Sequence, residues 1–155
     1  MTEPIARKVP SILIGYVSHR EFGGFRMPAT VQNLVMRDYA QRMKAGFRLS
    51  VDEHSFADCY MRLFAILDHP DGIDGVVMCS ASMLPNRYEL RHSVYEKILT
   101  HNVALHFVFE NFIVGNSEDV RKTEEIRSFT QILKNCPQSI PADLLPQARE
   151  VFRFS

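Results

Sequence analysis

The charges of this chain cancel. Lys+Arg and Asp+Glu both number 18, so there is no net charge. A domain that grips nucleic acid usually shows a basic excess. The balance therefore argues against a nucleic-acid partner and leaves room only for a local basic patch. Nor is there an apolar stretch near the roughly 20 residues that a bilayer requires. Met1 to Pro10 carries charge and lacks a continuous apolar signal region, so a cytoplasmic location is expected. Cysteine is sparse: Cys59, Cys79 and Cys136 form no CxxC pair, which disfavours a zinc site or redox dithiol and leaves buried reduced thiols as the expectation. The six histidines show no HxH or HExxH spacing, so no metal is expected. Neither GxGxxG nor GxxxxGKS/T occurs, and no cofactor is expected.

What the chain does have is four short apolar runs, each ending in polar residues. Ile12–Val17 ends in Ser18-His19-Arg20, and Phe47–Val51 in Asp52-Glu53-His54. Gly75–Cys79 ends in Ser80 and Ser82, and Val103–Phe109 in Glu110-Asn111. Strands at about 11–17, 47–51, 74–79 and 103–109 alternate with helical patterns at about 31–45, 55–67, 87–100 and 117–134. Pro28 suits a helix start and Gly46 a stop. The alternation predicts a three-layer α/β sandwich with a mainly parallel four-stranded sheet, flavodoxin-like or resolvase-like. The expected strand order is 2-1-3-4. At 155 residues a single domain is expected, with a loose leader over 1–10 and a tail over 137–155 broken by Pro137, Pro141 and Pro146.

Parallel strands would bring all four clusters to one sheet edge, where open α/β proteins bind ligands. Ser18 to Arg26 holds Gly23, Gly24, Arg20 and Arg26 ahead of a helix start. Helix-terminal amides and guanidinium forks there suit a phosphate or carboxylate, although an ordinary polar loop also fits. Gln32 and Asn33 sit near the same helix start, whereas Arg37 reads first as solvated helix surface. Asp52-Glu53-His54 could transfer protons or simply cap a helix. Ser80 and Ser82 could bond a ligand or a turn. Glu110, next to Phe107–Phe109, needs a partner, with Arg20 or Arg26 as candidates.

Several of these residues form a pattern. Gly15-Tyr16-Val17-Ser18, Arg20, Gly24, Arg26, Pro28 and Gln32 to Tyr39 resemble the opening of the sporadic carbohydrate cluster family, GYVS-x-R followed by VQNLVIRDY. Leu49-Ser50 with Glu53, then Asp74–Met78 with Ser80, Leu84-Pro85 and Glu110, continue the likeness over roughly residues 14–137. Cys79, Met83 and His54 depart from it. The resemblance implies a place among bacterial surface-polysaccharide genes, and a sugar phosphate or nucleotide sugar as ligand. A fainter likeness is to the serine recombinase catalytic domain: Ser18 follows the first strand, and Arg87 and Arg91 lie four apart after the third.

On this basis the expected function is surface-carbohydrate biosynthesis on a phosphorylated or acidic sugar. Arg20, Arg26 and Arg37 would bind the anion, with Gly24, Gln32, Asn33, Ser80 and Ser82 completing the ligand site. Glu53 or Glu110 would be the acid/base, and Ser18 a donor or nucleophile. Alternatives from other classes are a non-catalytic sugar-binding or partner subunit of a carbohydrate-biosynthesis enzyme and a DNA-acting serine recombinase relative. Whether the chain is an enzyme stays open. Val151–Phe154 suggests an apolar contact, within a homo-oligomer or with a carbohydrate-enzyme partner.

Overall fold

A computed structural model of the chain describes residues 10–136. Residues 1–9 of the expected 1–10 leader, the tail from Pro137 and the Val151–Phe154 segment lie outside the described residues. The chain divides into two units, Met1–Thr123 and Glu124–Ser155.

In the first unit, β1 (Ile12–Val17), β2 (Gly46–Asp52), β3 (Gly75–Met78), β4 (Ala104–Phe107) and β5 (Phe112–Val114) form one sheet of order β2-β1-β3-β4-β5. The first four strands pair in parallel and β5 pairs antiparallel to β4. The 2-1-3-4 order holds, but the four-strand expectation is short by one. Chain reversal occurs at Asn111, whose φ is 48°, and the three-residue β5 is too short to show a period of its own. β1 lies inside the sheet between β2 and β3, and Leu13 to Val17 are buried, because both of its faces are covered. The Asp74 carboxylate fixes its start, accepting from the amides of Ser11 (2.9 Å) and Ile12 (3.0 Å).

α1 (Ala29–Arg42) buries Gln32, Met36, Tyr39 and Ala40, a single stripe at helical spacing. It ends with Lys44 at φ 55° and a bond from Ala45 N to the Ala40 carbonyl (2.9 Å), two residues before the expected stop at Gly46. α2 (Met61–Asp68) and α3 (Tyr88–His101) pack on each other. Alternation along β1 places α1 and α2 on opposite faces. Tyr16 donates to Glu53, which receives the first amides of α2. Gly15, one residue earlier, faces the α1 side: a Cβ there would meet Ser50 Oγ at 2.3 Å, and that hydroxyl bonds Asn33 of α1. On the same side the buried Tyr39 hydroxyl bonds His106 Nδ1 at 2.8 Å, tying α1 to β4.

α4 (Ser117–Lys134) starts in the first unit. Asn116 Oδ1 accepts from Asp119 N, and the buried Asp119 carboxylate accepts from Gly115 N. Its second-unit stretch carries Ile126, Phe129, Ile132 and Leu133, all exposed. No helix among the described residues is long and apolar enough to cross a membrane.

Candidate functional site: an arginine-lined cleft after the first strand

The loop from Ser18 to Pro28 is sewn to α1 by one residue. Gln32, fully buried, accepts from Ser18 N (3.1 Å) and donates to the carbonyls of Ser18 (2.6 Å) and Met27 (2.8 Å). Between those ends, Phe22 and Phe25 exchange backbone bonds across Gly23 (φ 60°) and Gly24 (φ 87°). Two positive φ values in a two-residue turn need residues free of a Cβ penalty, which accounts for both glycines. Phe22 is buried and pins the turn to the core.

This loop borders an open cleft of about 480 Å³ lined by His19, Arg20, Arg26, Met27, Pro28, Ala29 and Ser55. Arg20 is braced: its Nη1 donates to the carbonyls of Cys59 (2.6 Å) and Phe56 (3.3 Å), and its guanidinium stacks 4.2 Å from the Tyr60 ring centre. That leaves Nε and Nη2 to serve the cleft. Arg26 is exposed. His19 Nε2 lies 3.0 Å from the Asp52 carboxylate. The N-terminus of α1 opens here too, with no side-chain cap and no acidic residue in its first turn. Such a terminus presents amides without intrahelical acceptors and the positive end of the helix dipole. The cleft thus combines two guanidinium groups, an imidazole and a helix start, and the carboxylate beside it, Asp52, is paired with His19.

Glu53 is placed otherwise. It is 2 % exposed and its carboxylate accepts from His54 N (3.0 Å), Arg62 N (3.0 Å), Leu63 N (3.2 Å) and the Tyr16 hydroxyl (3.1 Å). It caps α2 from outside the helix, which is why α2 begins at Met61 and not near Ser55 as its apolar spacing suggests. Burial, then the neighbouring Glu53 charge, raises the Tyr16 phenol far above its ordinary pKa, against a lowering by Arg20.

The third and fourth strand ends make a separate set. Ser80 Oγ donates to Glu110 (2.6 Å), which also accepts from Ala81 N (3.2 Å), and Ser82 N donates back to Ser80 Oγ (3.1 Å). Glu110 is therefore partnered by Ser80 and not by Arg20 or Arg26. Burial, and next the Glu110 charge, pushes the Cys79 thiol up to about 11. Arg91, buried, donates to the carbonyls of Pro85 and Asn86 (both 2.9 Å), while Arg87 is exposed. Arg37 lies over the Phe47 ring, 5.9 Å from its centre. Ser18 is buried, and its hydroxyl accepts from Arg20 N (3.2 Å).

Of the expected site residues, the structure brings Arg20 and Arg26 to one cleft, with Ser18 directly behind Arg20. Gly24 forms the turn, while Gln32 and Asn33 face backbone and Ser50. The common hollow for Ser18, Glu53, Ser80 and Glu110 is not formed, because Glu53 turns into α2 and Glu110 closes on Ser80. Sequence reasoning left His19 and Ser55 out of the site. The register that pairs Val17 with Asp52 brings the His19–Asp52 pair together, and a single sequence does not show register.

No protein-family model matches the chain, and no curated protein does. Solved structures do. The chain has the α/β fold of recombinase catalytic domains. The N-terminal catalytic domain of TP901-1 integrase is similar over 81 % of this chain and 98 % of its own, with 12 % identity and a TM-score of 0.57. A resolvase family site-specific recombinase from Streptococcus pneumoniae is similar over 90 % and 99 %, with 12 % identity and a TM-score of 0.54.

These findings overturn the carbohydrate expectation. Nothing in the comparisons points to carbohydrate biosynthesis, a sugar ligand or a carbohydrate-enzyme partner, and the expectation of no nucleic acid conflicts with the recombinase neighbours. The residues that carried the family resemblance explain the error. Gly15, Gln32, Asn33, Ser50 and Glu53 brace the sheet edge and α2, so the pattern they form reports local packing and does not specify a ligand.

Proposed function

We propose that the protein binds the phosphate backbone of a nucleic acid in the cleft beside β1, with Arg26 and Arg20 as its contacts. The observation that carries this reading is the cleft itself: two guanidinium groups and an uncapped helix start, with the neighbouring Asp52 carboxylate paired to His19. The recombinase neighbours supply the ligand class. On this reading α1 covers one face of the sheet and α2 with α3 the other, a three-layer arrangement that leaves the cleft at the strand ends. A cytoplasmic setting belongs to the same proposal.

Strand cleavage is not part of the proposed activity. Ser18 is 3 % exposed and is held by Gln32 on its amide and carbonyl. Arg91, one of the two arginines behind the recombinase likeness, serves the Pro85 and Asn86 carbonyls.

Fluorescence anisotropy with labelled single-stranded and duplex DNA tests the proposal. The wild-type protein is expected to bind, and Arg26→Glu to lose about tenfold or more in affinity, the order expected for replacing a phosphate contact by repulsion. Arg26→Glu keeps its melting temperature, because Arg26 is exposed. Arg20→Ala loses binding and also about 2 kcal/mol of stability, since two carbonyls and a stacked ring lose their partner. Absence of wild-type binding at low salt would refute the reading. A plasmid relaxed by the wild type but not by Ser18→Ala would show that cleavage occurs after all.

A further inference from the structure

We infer that the cleft selects a phosphomonoester, a terminal phosphate, over the internal phosphodiester of a strand; this rests on the phosphate-binding reading above. The ground is the number and sign of the charges on its wall. An internal phosphodiester carries one negative charge, whereas a terminal phosphate carries about −1.5 to −2 near neutral pH and has three acceptor oxygens. One guanidinium suffices for the first. The cleft offers Arg20, Arg26 and His19, and the neighbouring Asp52 carboxylate, 3.0 Å from His19 Nε2, is engaged by that imidazole. With a diester bound, one of the two guanidinium charges would go unmatched, since the Asp52 carboxylate beside His19 answers only the imidazole. With a dianion bound, both guanidinium charges are matched.

His19 makes the distinction chemical as well as electrostatic. Asp52 holds its Nε2 at 3.0 Å, which favours a proton on that nitrogen. No partner for Nδ1 is recorded among the described residues. As imidazolium, Nδ1 donates to a phosphate dianion. As neutral imidazole, it accepts from the P–OH of the monoanion. A phosphodiester has no P–OH to give, so His19 can meet both ionisation states of a terminal phosphate and only half of that chemistry is usable by a diester. Ser55, on the same wall, adds a neutral hydroxyl. The volume, about 480 Å³, falls in the range for one small ligand and suits a single nucleotide end better than the width of a duplex.

Two oligonucleotides of identical sequence, one 5′-phosphorylated and one 5′-hydroxyl, provide the test by anisotropy at pH 7. The phosphorylated strand is expected to bind about tenfold more tightly, the size of one charge-assisted hydrogen bond. In His19→Gln, checked for an unchanged melting temperature, that ratio is expected to fall to about threefold or less, whatever happens to absolute affinity. Competition by a nucleoside 5′-monophosphate separates the sources. Full displacement at similar affinity identifies a free nucleotide as ligand, and weak displacement a strand end; either supports phosphomonoester selection. Equal binding of the two strands by the wild type overturns the inference and leaves the nucleic-acid reading standing. If neither strand binds, the nucleic-acid reading falls. Calorimetry with the monophosphate then decides the inference alone: binding that weakens in His19→Gln upholds it, and no binding ends it.

Discussion

At the scale of single residues, Glu53 shows how far a carboxylate's role depends on what surrounds it. In the sequence, Glu53 beside His54 reads as an acid/base or as a helix cap. In the fold its oxygens are taken by three backbone amides and the Tyr16 phenol, so its charge holds the start of α2. We read Glu53 as structural on that basis. Tyr16 bears the consequence. Buried and next to the Glu53 charge, it holds its proton well above the ordinary value of 10.0. The unfolded chain releases that proton above pH 10 while the folded protein retains it, so the unfolded state is favoured as pH rises. The contribution is fully present below pH 10 and is lost above it, at about 1.4 kcal/mol per pH unit. Alkaline denaturation followed by circular dichroism should show this slope in the wild type and a shallower one in Tyr16→Phe. Identical slopes would mean that other groups set the alkaline limit. At neutral pH the same variant should cost only about 1 kcal/mol, because the three amides still satisfy Glu53.

At the scale of elements, four of the five strands were legible because a strand buried on both faces must be apolar throughout, as Leu13 to Val17 are. β5 was not, since three residues after a turn carry no periodic signal. α2 was misplaced at its start for a related reason. Phe56, Cys59 and Tyr60 fit a helical stripe, but the chain there is held by Arg20 on the Phe56 and Cys59 carbonyls, and Asp58 sits at φ 52°. Long-range bonds overrode local spacing. β1 packs tightly against β2 at Gly15. A Cβ at Gly15 would lie 2.3 Å from Ser50 Oγ and 2.9 Å from the Phe47 ring. Gly15→Ala must push β2 or its side chains outward, and overpacking of this kind costs about 1–3 kcal/mol. Since Ser50 Oγ is the nearer obstacle, adding Ser50→Ala should restore part of the loss. Chemical denaturation of the two single variants and the double variant measures it: a negative coupling shows relief of one clash, and strict additivity would place the strain elsewhere.

At the scale of the whole molecule, net neutrality and an arginine-lined cleft are compatible, because one is a sum and the other a placement. The sequence made Arg20 and Arg26 legible as a pair in a loop before a helix, and the fold brings them to one wall. It could not show that most of the neighbouring polar residues are spent on backbone, as Gln32 is on Ser18 and Met27. Nor could it bring His19 to Asp52, which requires the β1–β2 register. With 18 charges of each sign there is no net charge to draw a polyanion from a distance, so attraction is local and the number of phosphates neutralised small. Counterion release turns that into a number. Two arginine contacts to duplex DNA give a slope of log affinity against log salt of about −1.8, and to a single strand about −1.4. A basic groove that follows the backbone over many phosphates would give a much steeper line. Anisotropy titrations at several salt concentrations supply the slope, and Arg26→Ala should flatten it by about 0.9 on a duplex. A wild-type slope steeper than about −5 would mean that more than five phosphates are contacted, a footprint larger than this cleft can hold.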